Sequence, residues 1–407
     1  MKQDLDRLMA ERGFDALTVI GTPKTSRDLL YMTGPIAVLR ARLMKKRGKE
    51  PVLIVSGMER DEAAGSGLEI RTYGDLDIIR ITREAADPLE ASVMAFLHAC
   101  DVLGIGGNVA FYGVDDVPYT HAFLRSLQSA GRFDVAVEPY DSIFSEARMT
   151  KDNEEIGRIE SVSRRAQEVM TAVRDFLSTC SDRGGRIVDA GGEEVTIGRI
   201  KEMIQAETEA RGMMLDEEVI FSQGRDSAIC HSRGDDAATL VPGKTIVFDY
   251  CPQEAGGGFF CDITRTWCPG HVPDAVKEIY DQVLEIHGKV LDRLEVGGLC
   301  SSYDKLTNEY FDSHGHPTPG NEKSKDEGYV HSLGHGIGLS MHERPRLALM
   351  SKTEERLAPG HVFTVEPGLY YPGREIGVRL EDDIAIREDG TIVNLTTISK
   401  DILVPLK

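Results

Sequence analysis

The chain is read outward from His331-Ser-Leu-Gly-His335-Gly-Ile-Gly-Leu-Ser-Met-His342-Glu-Arg-Pro345. Three of the chain's eleven histidines fall within twelve residues here, alongside three glycines and a carboxylate. Glycines between histidines let the backbone turn tightly and bring imidazole nitrogens close to a metal or substrate. By itself the stretch also fits a glycine-rich surface loop, so its meaning depends on what accompanies it.

At 407 residues the chain is long for one domain and suggests two. It is 41% apolar and 28% charged, the composition of a globular protein. A formal charge of −20 argues against nucleic acid or an anionic membrane as partner, because both select a basic surface. The seven cysteines form no C-x-x-C pair and are odd in number, which fits reduced thiols rather than a disulfide framework. The charged N-terminus lacks a signal-peptide core, and no run approaches the roughly 20 apolar residues that span a bilayer. The expectation is a cytoplasmic protein.

Residues 2–12 read as an amphipathic helix, and Ala16–Ile20, Val52–Val55 and Val109–Val114 as buried strands. With a helix at about 88–100 they predict a compact α/β domain over 1–150. Gly104-Ile-Gly106-Gly107 lacks the full dinucleotide fingerprint and reads as a turn. A polar segment at 148–152 marks the boundary, and Thr150 with Asn153 is the expected helix start. Residues 151–407 then read as an α+β domain. Its helices lie at about 156–176, 193–211, 272–294 and 301–313. Its strands lie at Glu218–Ser222, Thr245–Tyr250, Phe259–Thr266, His361–Glu366 and Gly377–Ile386.

Asp249, Asp262, Glu366 and Glu381 each fall at or beside a predicted strand, and His335 lies in the glycine-rich stretch. A carboxylate among apolar strand residues is costly to bury unless it is paired, hydrogen-bonded or metal-bound. Four carboxylates and an imidazole form a hard ligand set suited to a pair of divalent ions such as Mn²⁺, Co²⁺ or Zn²⁺. Two such ions roughly 3.5–4 Å apart can share a water, lower its pKa and clamp a carbonyl oxygen.

In order, V-F-D-Y, C-D-I-T-R-T-W, G-H-G-I-G-L-S-M-H-E-R-P, T-V-E-P-G-L-Y and V-R-L-E-D-D-I resemble the M24-type pita-bread metallopeptidases. The match is closest to the prolidase and aminopeptidase P branch. It covers most of 245–386, and A-I-C-H-S around His231 extends it upstream. D-A-L-T-V-I and L-L-Y-M-T-G carry a weaker likeness to the N-terminal domain of that branch.

The resemblance implies a dinuclear peptidase that cleaves Xaa-Pro bonds through a bridging hydroxide, with Mn²⁺ the first expectation and a homodimer as its assembly. It makes Asp249, Asp262, His335, Glu366 and Glu381 the metal ligands, with Asp262 and Glu381 bridging. Glu366 also becomes the proton acceptor. His231 and His342 become donors to the substrate or the tetrahedral oxyanion, and His331 lines the pocket. On the substrate side, Arg346 is the candidate for a carboxylate clamp, with Arg344 the competing choice. Arg379, two residues before Glu381, is expected on the same strand face, orienting Glu381 or Asp249.

Twelve residues separate Asp249 from Asp262, two more than is usual in that family, and Phe259-Phe260 replaces the usual Gly-Tyr. A longer hairpin turn can still present both acids, so ligands survive while substrate range is open. The alternatives on the same fold are a non-catalytic binding scaffold or a creatinase-like amidinohydrolase. Both usually show broken ligand sets, and here all five positions are intact.

Overall fold

The computed structural model describes residues 4–321, 326–351 and 354–407. The described residues fall into two compact units, one within 1–148 with 256–258 and the other within 149–255 with 259–407.

The first unit is built on a six-stranded mixed sheet in the order 69–72, 52–55, 41–46, 16–21, 108–113, 134–136. Its central strand, Ala16–Gly21, runs antiparallel to Ala41–Lys46 and parallel to Asn108–Gly113. The strands at 41–46 and 69–72 escape a hydrophobicity reading because arginine, lysine and glutamate interrupt them. The first helix is Leu5–Glu11, with Leu5, Leu8 and Met9 buried; residues 2 and 3 of the expected helix lie outside the described residues. Helix Pro88–Leu103 starts at Asp87, whose side chain accepts from the Glu90 N–H, and stops at Gly104 in the left-handed region. The G-I-G-G run is therefore a helix stop and turn. Phe96 on that helix packs against Phe111, Phe123 and Phe133 in the core.

The second unit opens with helix Asn153–Ser178. Its cap is Asp152, not Thr150: Asp152 accepts from the Glu155 N–H at 2.9 Å, and Glu155 accepts from the Asp152 N–H at 3.0 Å. That reciprocal pair satisfies two donors at once, which a lone threonine three residues earlier cannot do.

Two sheets follow. The first runs 220–223, 246–250, 263–269, 403–404, and helices Asn153–Ser178 and Ile197–Ala210 bury their apolar faces against it. The second runs 343–347, 334–336, 362–365, 382–386, 392–394, backed by helices Asp274–Leu291 and Cys300–Ser313. Each is a sheet with helices on one face, as an α+β pattern predicts. No helix among the described residues is long and apolar enough to cross a membrane.

Two predicted strands are corrected. Phe259–Thr266 is instead Ile263–Pro269, because 259–261 belong to a hairpin in which Glu254 N–H donates to Phe259 O and Cys261 N–H to Pro252 O. Gly377–Ile386 is two strands, Ile376–Arg379 and Asp382–Ile386, in different sheets. The chain crosses between sheets at Leu380-Glu381, so strand parity does not relate Arg379 to Glu381.

Candidate metal centre

Every carboxylate of the predicted set lies at the end of a strand. Asp249 is the penultimate residue of Ile246–Tyr250 and pairs with Thr264 across the sheet. Asp262 and Glu381 immediately precede their strands, and Glu366 immediately follows Val362–Val365. The two sheets are joined there by Glu381 N–H donating to Thr264 O at 3.1 Å. Thr266 Oγ1 adds a bond to Arg379 O at 2.9 Å.

His335 is placed by its glycines. A Cβ on Gly334 would strike the Thr364 carbonyl, and one on Gly336 the Arg344 carbonyl. Only glycine lets the three strands approach so closely. A register shift between His335 and Gly336 re-aims the imidazole. Its Nδ1 donates to Gly336 O at 3.1 Å, which leaves the Nε2 lone pair free. That Nε2 lies 3.5 Å from Glu366 Oε1 and 3.8 Å from Asp262 Oδ2. Burial, and then the neighbouring His342, lower its pKa to about 3, so the ring is neutral at ordinary pH.

The centre carries more negative charge than it can hold unaided. Among the described residues, Asp249, Asp262, Glu366 and Glu381 face a single guanidinium, that of Arg379. Burial, then Glu381, pushes both Asp262 and Glu366 well above the usual carboxylate range, and burial, then Asp249, pushes Glu381 to about 7. Glu381 is 2% exposed, yet its Oε1 has no hydrogen-bond partner among the described residues. Buried carboxylates crowded in this way call for cations. The ligand atoms of Asp262, His335 and Glu381 lie within 4.8 Å of one another, as do those of Asp249, Cys251 and Asp262. Asp262 is common to both groups. The residues present therefore fit a pair of divalent ions sharing Asp262.

Around these acids runs a hydrogen-bonded frame. Arg379, 4% exposed, donates from Nη2 to Asp249 Oδ2 at 2.5 Å, from Nη1 to Tyr370 Oη at 2.8 Å and from Nε to Thr264 Oγ1 at 3.0 Å. Its fork is spent inside the protein. It holds Asp249, one of the two partners expected for it. Tyr370 Oη sits 2.9 Å from His331 Nε2, whose other nitrogen lies 2.8 Å from Ser332 O. Tyr370 thus donates to Nε2, and His331 donates from Nδ1. Burial and the Arg379 charge lower the pKa of His331 to about 4.

The remaining predicted residues are more open. His342 and His231 are exposed and make no hydrogen bond among the described residues. The His342 ring packs edge-on against His335, with ring centres 4.3 Å apart. Arg344 donates from Nε to Glu355 at 2.5 Å, whereas Arg346 is exposed with no ion pair among the described residues. Of the two arginines, only Arg346 is free. Beneath His342, Glu343 forms a buried ion pair with Lys151 at 2.9 Å.

Three contributors went unrecognised in the sequence. Thr264 and Tyr370 stood inside quoted motifs, but a hydroxyl gives no charge signal. Cys251, one residue past strand Ile246–Tyr250, was read only as one of seven reduced thiols. Its thiol donates to Asp262 Oδ1 at 2.6 Å, and Asp249 Oδ1 lies 3.6 Å from the sulfur.

The family model for metallopeptidase family M24 matches residues 157–388. The chain is 27% identical over 390 residues to the uncharacterized peptidase YqhT of Bacillus subtilis, covering 95% of each. It is 29% identical over 317 residues to the Xaa-Pro dipeptidase of Pyrococcus furiosus, covering 76% of this chain and 78% of that one. Among solved structures, the Xaa-Pro dipeptidase from Bacillus anthracis superposes with a TM-score of 0.76 at 22% identity, over 100% of this chain and 99% of that one. The X-Pro aminopeptidase from Thermotoga maritima gives 0.74 at 22%, over 98% and 99%. These likenesses show the fold: an N-terminal α/β domain followed by a pita-bread domain.

Proposed function

The chain belongs to metallopeptidase family M24, and from that premise we propose that it hydrolyses Xaa-Pro peptide bonds with two divalent ions held by Asp249, Asp262, His335, Glu366 and Glu381. The observation that carries this reading is the neutral His335, its free Nε2 turned toward Asp262 and Glu366 among four carboxylates balanced by one arginine. When bound, the ions would supply a water nucleophile at neutral pH and positive charge for the carbonyl oxygen. Mn²⁺ is the first candidate, given the oxygen-rich ligand set.

The chain's own residues do the rest. Glu366 takes the proton of the attacking water and passes it to the departing proline nitrogen. His231 and His342, which make no hydrogen bond among the described residues, donate to the substrate carbonyl oxygen as its charge grows. Arg379 and Thr264 hold Asp249 and Glu381 in place. His331, fixed by Tyr370, forms part of the wall beyond the scissile bond. Arg346 receives the terminal carboxylate of a short peptide in a forked pair.

The test strips the protein of metal, reloads it with Mn²⁺, Co²⁺ or Zn²⁺, and assays an Xaa-Pro dipeptide beside a longer Xaa-Pro-Xaa peptide and creatine. Two ions per chain with proline-peptide turnover is the expected result, and the preferred length separates dipeptidase from aminopeptidase action. Two bound ions without turnover of either peptide would overturn the proposed specificity.

A further inference from the structure

Cys251 is the one thiol that meets the carboxylates of this centre. It follows strand Ile246–Tyr250 directly, two residues beyond Asp249. Its Sγ lies 2.6 Å from Asp262 Oδ1 and 3.6 Å from Asp249 Oδ1, and these three groups form a cluster whose ligand atoms fall within 4.8 Å. The next three residues, Pro252–Glu254, pair antiparallel with Met213–Leu215, which anchors the chain directly after the thiol. A second observation calls for cations at this centre: Glu381 Oε1 is buried with no hydrogen-bond partner among the described residues, and the Asp262–His335–Glu381 group shares Asp262 with the thiol cluster.

We propose that Cys251 is a sulfur ligand on the Asp249 side of the centre, and that it tunes that position toward thiophilic divalent cations such as Zn²⁺ or Cd²⁺. This rests on the reading of Asp249 and Asp262 as metal ligands. The sulfur–metal bond of about 2.3 Å for Zn²⁺ is within reach of a side chain that already touches Asp262. On binding, the cation takes the place of the proton that Cys251 donates to Asp262, and that proton leaves to solvent. Soft sulfur beside hard carboxylates shifts selectivity away from Mn²⁺ without removing any of the five nitrogen and oxygen ligands.

The experiment is titration of the stripped full-length protein with Cd²⁺, recording bound metal by equilibrium dialysis and thiolate-to-metal charge-transfer absorption in the ultraviolet. Wild type is expected to show the band, Cys251→Ser to lose it, and Cys230→Ser to keep it. The preference for Cd²⁺ over Mn²⁺ should fall at least about tenfold in Cys251→Ser. Stoichiometric Cd²⁺ without the band in wild type, or a band that survives Cys251→Ser, overturns the sulfur ligand and leaves the five-residue centre standing. No bound metal at all removes both readings.

Discussion

Thr264 has one proton and three claims on its hydroxyl. It sits 2.7 Å from Glu381 Oε2, 3.0 Å from Asp249 Oδ1 and 3.0 Å from Arg379 Nε. Arg379 can only donate, so the hydroxyl accepts from it and gives its proton to one carboxylate, the nearer being Glu381. Thr264→Val keeps the shape and removes this arbitration. Metal affinity by competition titration should fall about 10–100-fold while the melting temperature stays close to wild type. Asp262 behaves differently, because it is crowded by Glu381 and Asp249. In Asp262→Asn a repelling charge disappears, so the stripped variant should melt no lower than stripped wild type, yet bind no metal and turn over no peptide. Full turnover in that variant would end the mechanism proposed above. Arg346→Met tests the substrate side: KM for an Xaa-Pro dipeptide should rise about tenfold with kcat retained, since the lost contact is made equally in ground and transition states. An unchanged KM would return Arg346 to the role of a surface arginine.

At the scale of elements, the centre is a meeting of strand ends, and their approach is set by glycine. Gly336→Ala would place a methyl against the Arg344 carbonyl, which is backbone and cannot step aside. Overpacking of this kind costs about 1–3 kcal/mol, and parting these strands displaces His335 as well. Thermal melts should therefore fall together with metal affinity, whereas a purely local defect would lower only the first. The same region shows where reading from sequence stops. The carboxylates, the histidines and the long helices were legible because charge among apolar residues and helical period are local signals. The break at Leu380-Glu381 was not, because V-R-L-E-D-D-I has the alternation of one continuous strand; only the arrangement of two sheets shows the chain passing between them. The partner of Arg379 was left between Glu381 and Asp249 for the same reason. The pairing of Lys151 with Glu343 was also out of reach, being a buried contact across 192 positions.

Taken as a whole, the chain uses its fold to hold negative charge that it does not itself neutralise, and that makes stability and metal binding depend on pH together. Glu381 ordinarily titrates near 4.5, and burial followed by the Asp249 charge moves it to about 7. A carboxyl raised in this way contributes stability below its unfolded value of 4.5, and that contribution is lost as pH rises through about 7. A bound cation needs the ionised carboxylate, so proton and metal compete across the same window. His335 and His331, lowered to about 3 and about 4, are neutral throughout it and do not compete. Metal affinity should therefore climb about tenfold per pH unit for each proton displaced as pH rises from about 5 to 7. At fixed free Mn²⁺ the gain in Tm on loading should follow, small at the acid end and larger at neutrality, because stabilisation scales with the logarithm of ligand over Kd. Paired melts of stripped and loaded protein across that range measure the difference directly, so titrations common to both forms cancel. A gain that stays constant from pH 5 to 7 would mean that the cation does not displace protons from these carboxylates, and the ligand assignment would fall with it.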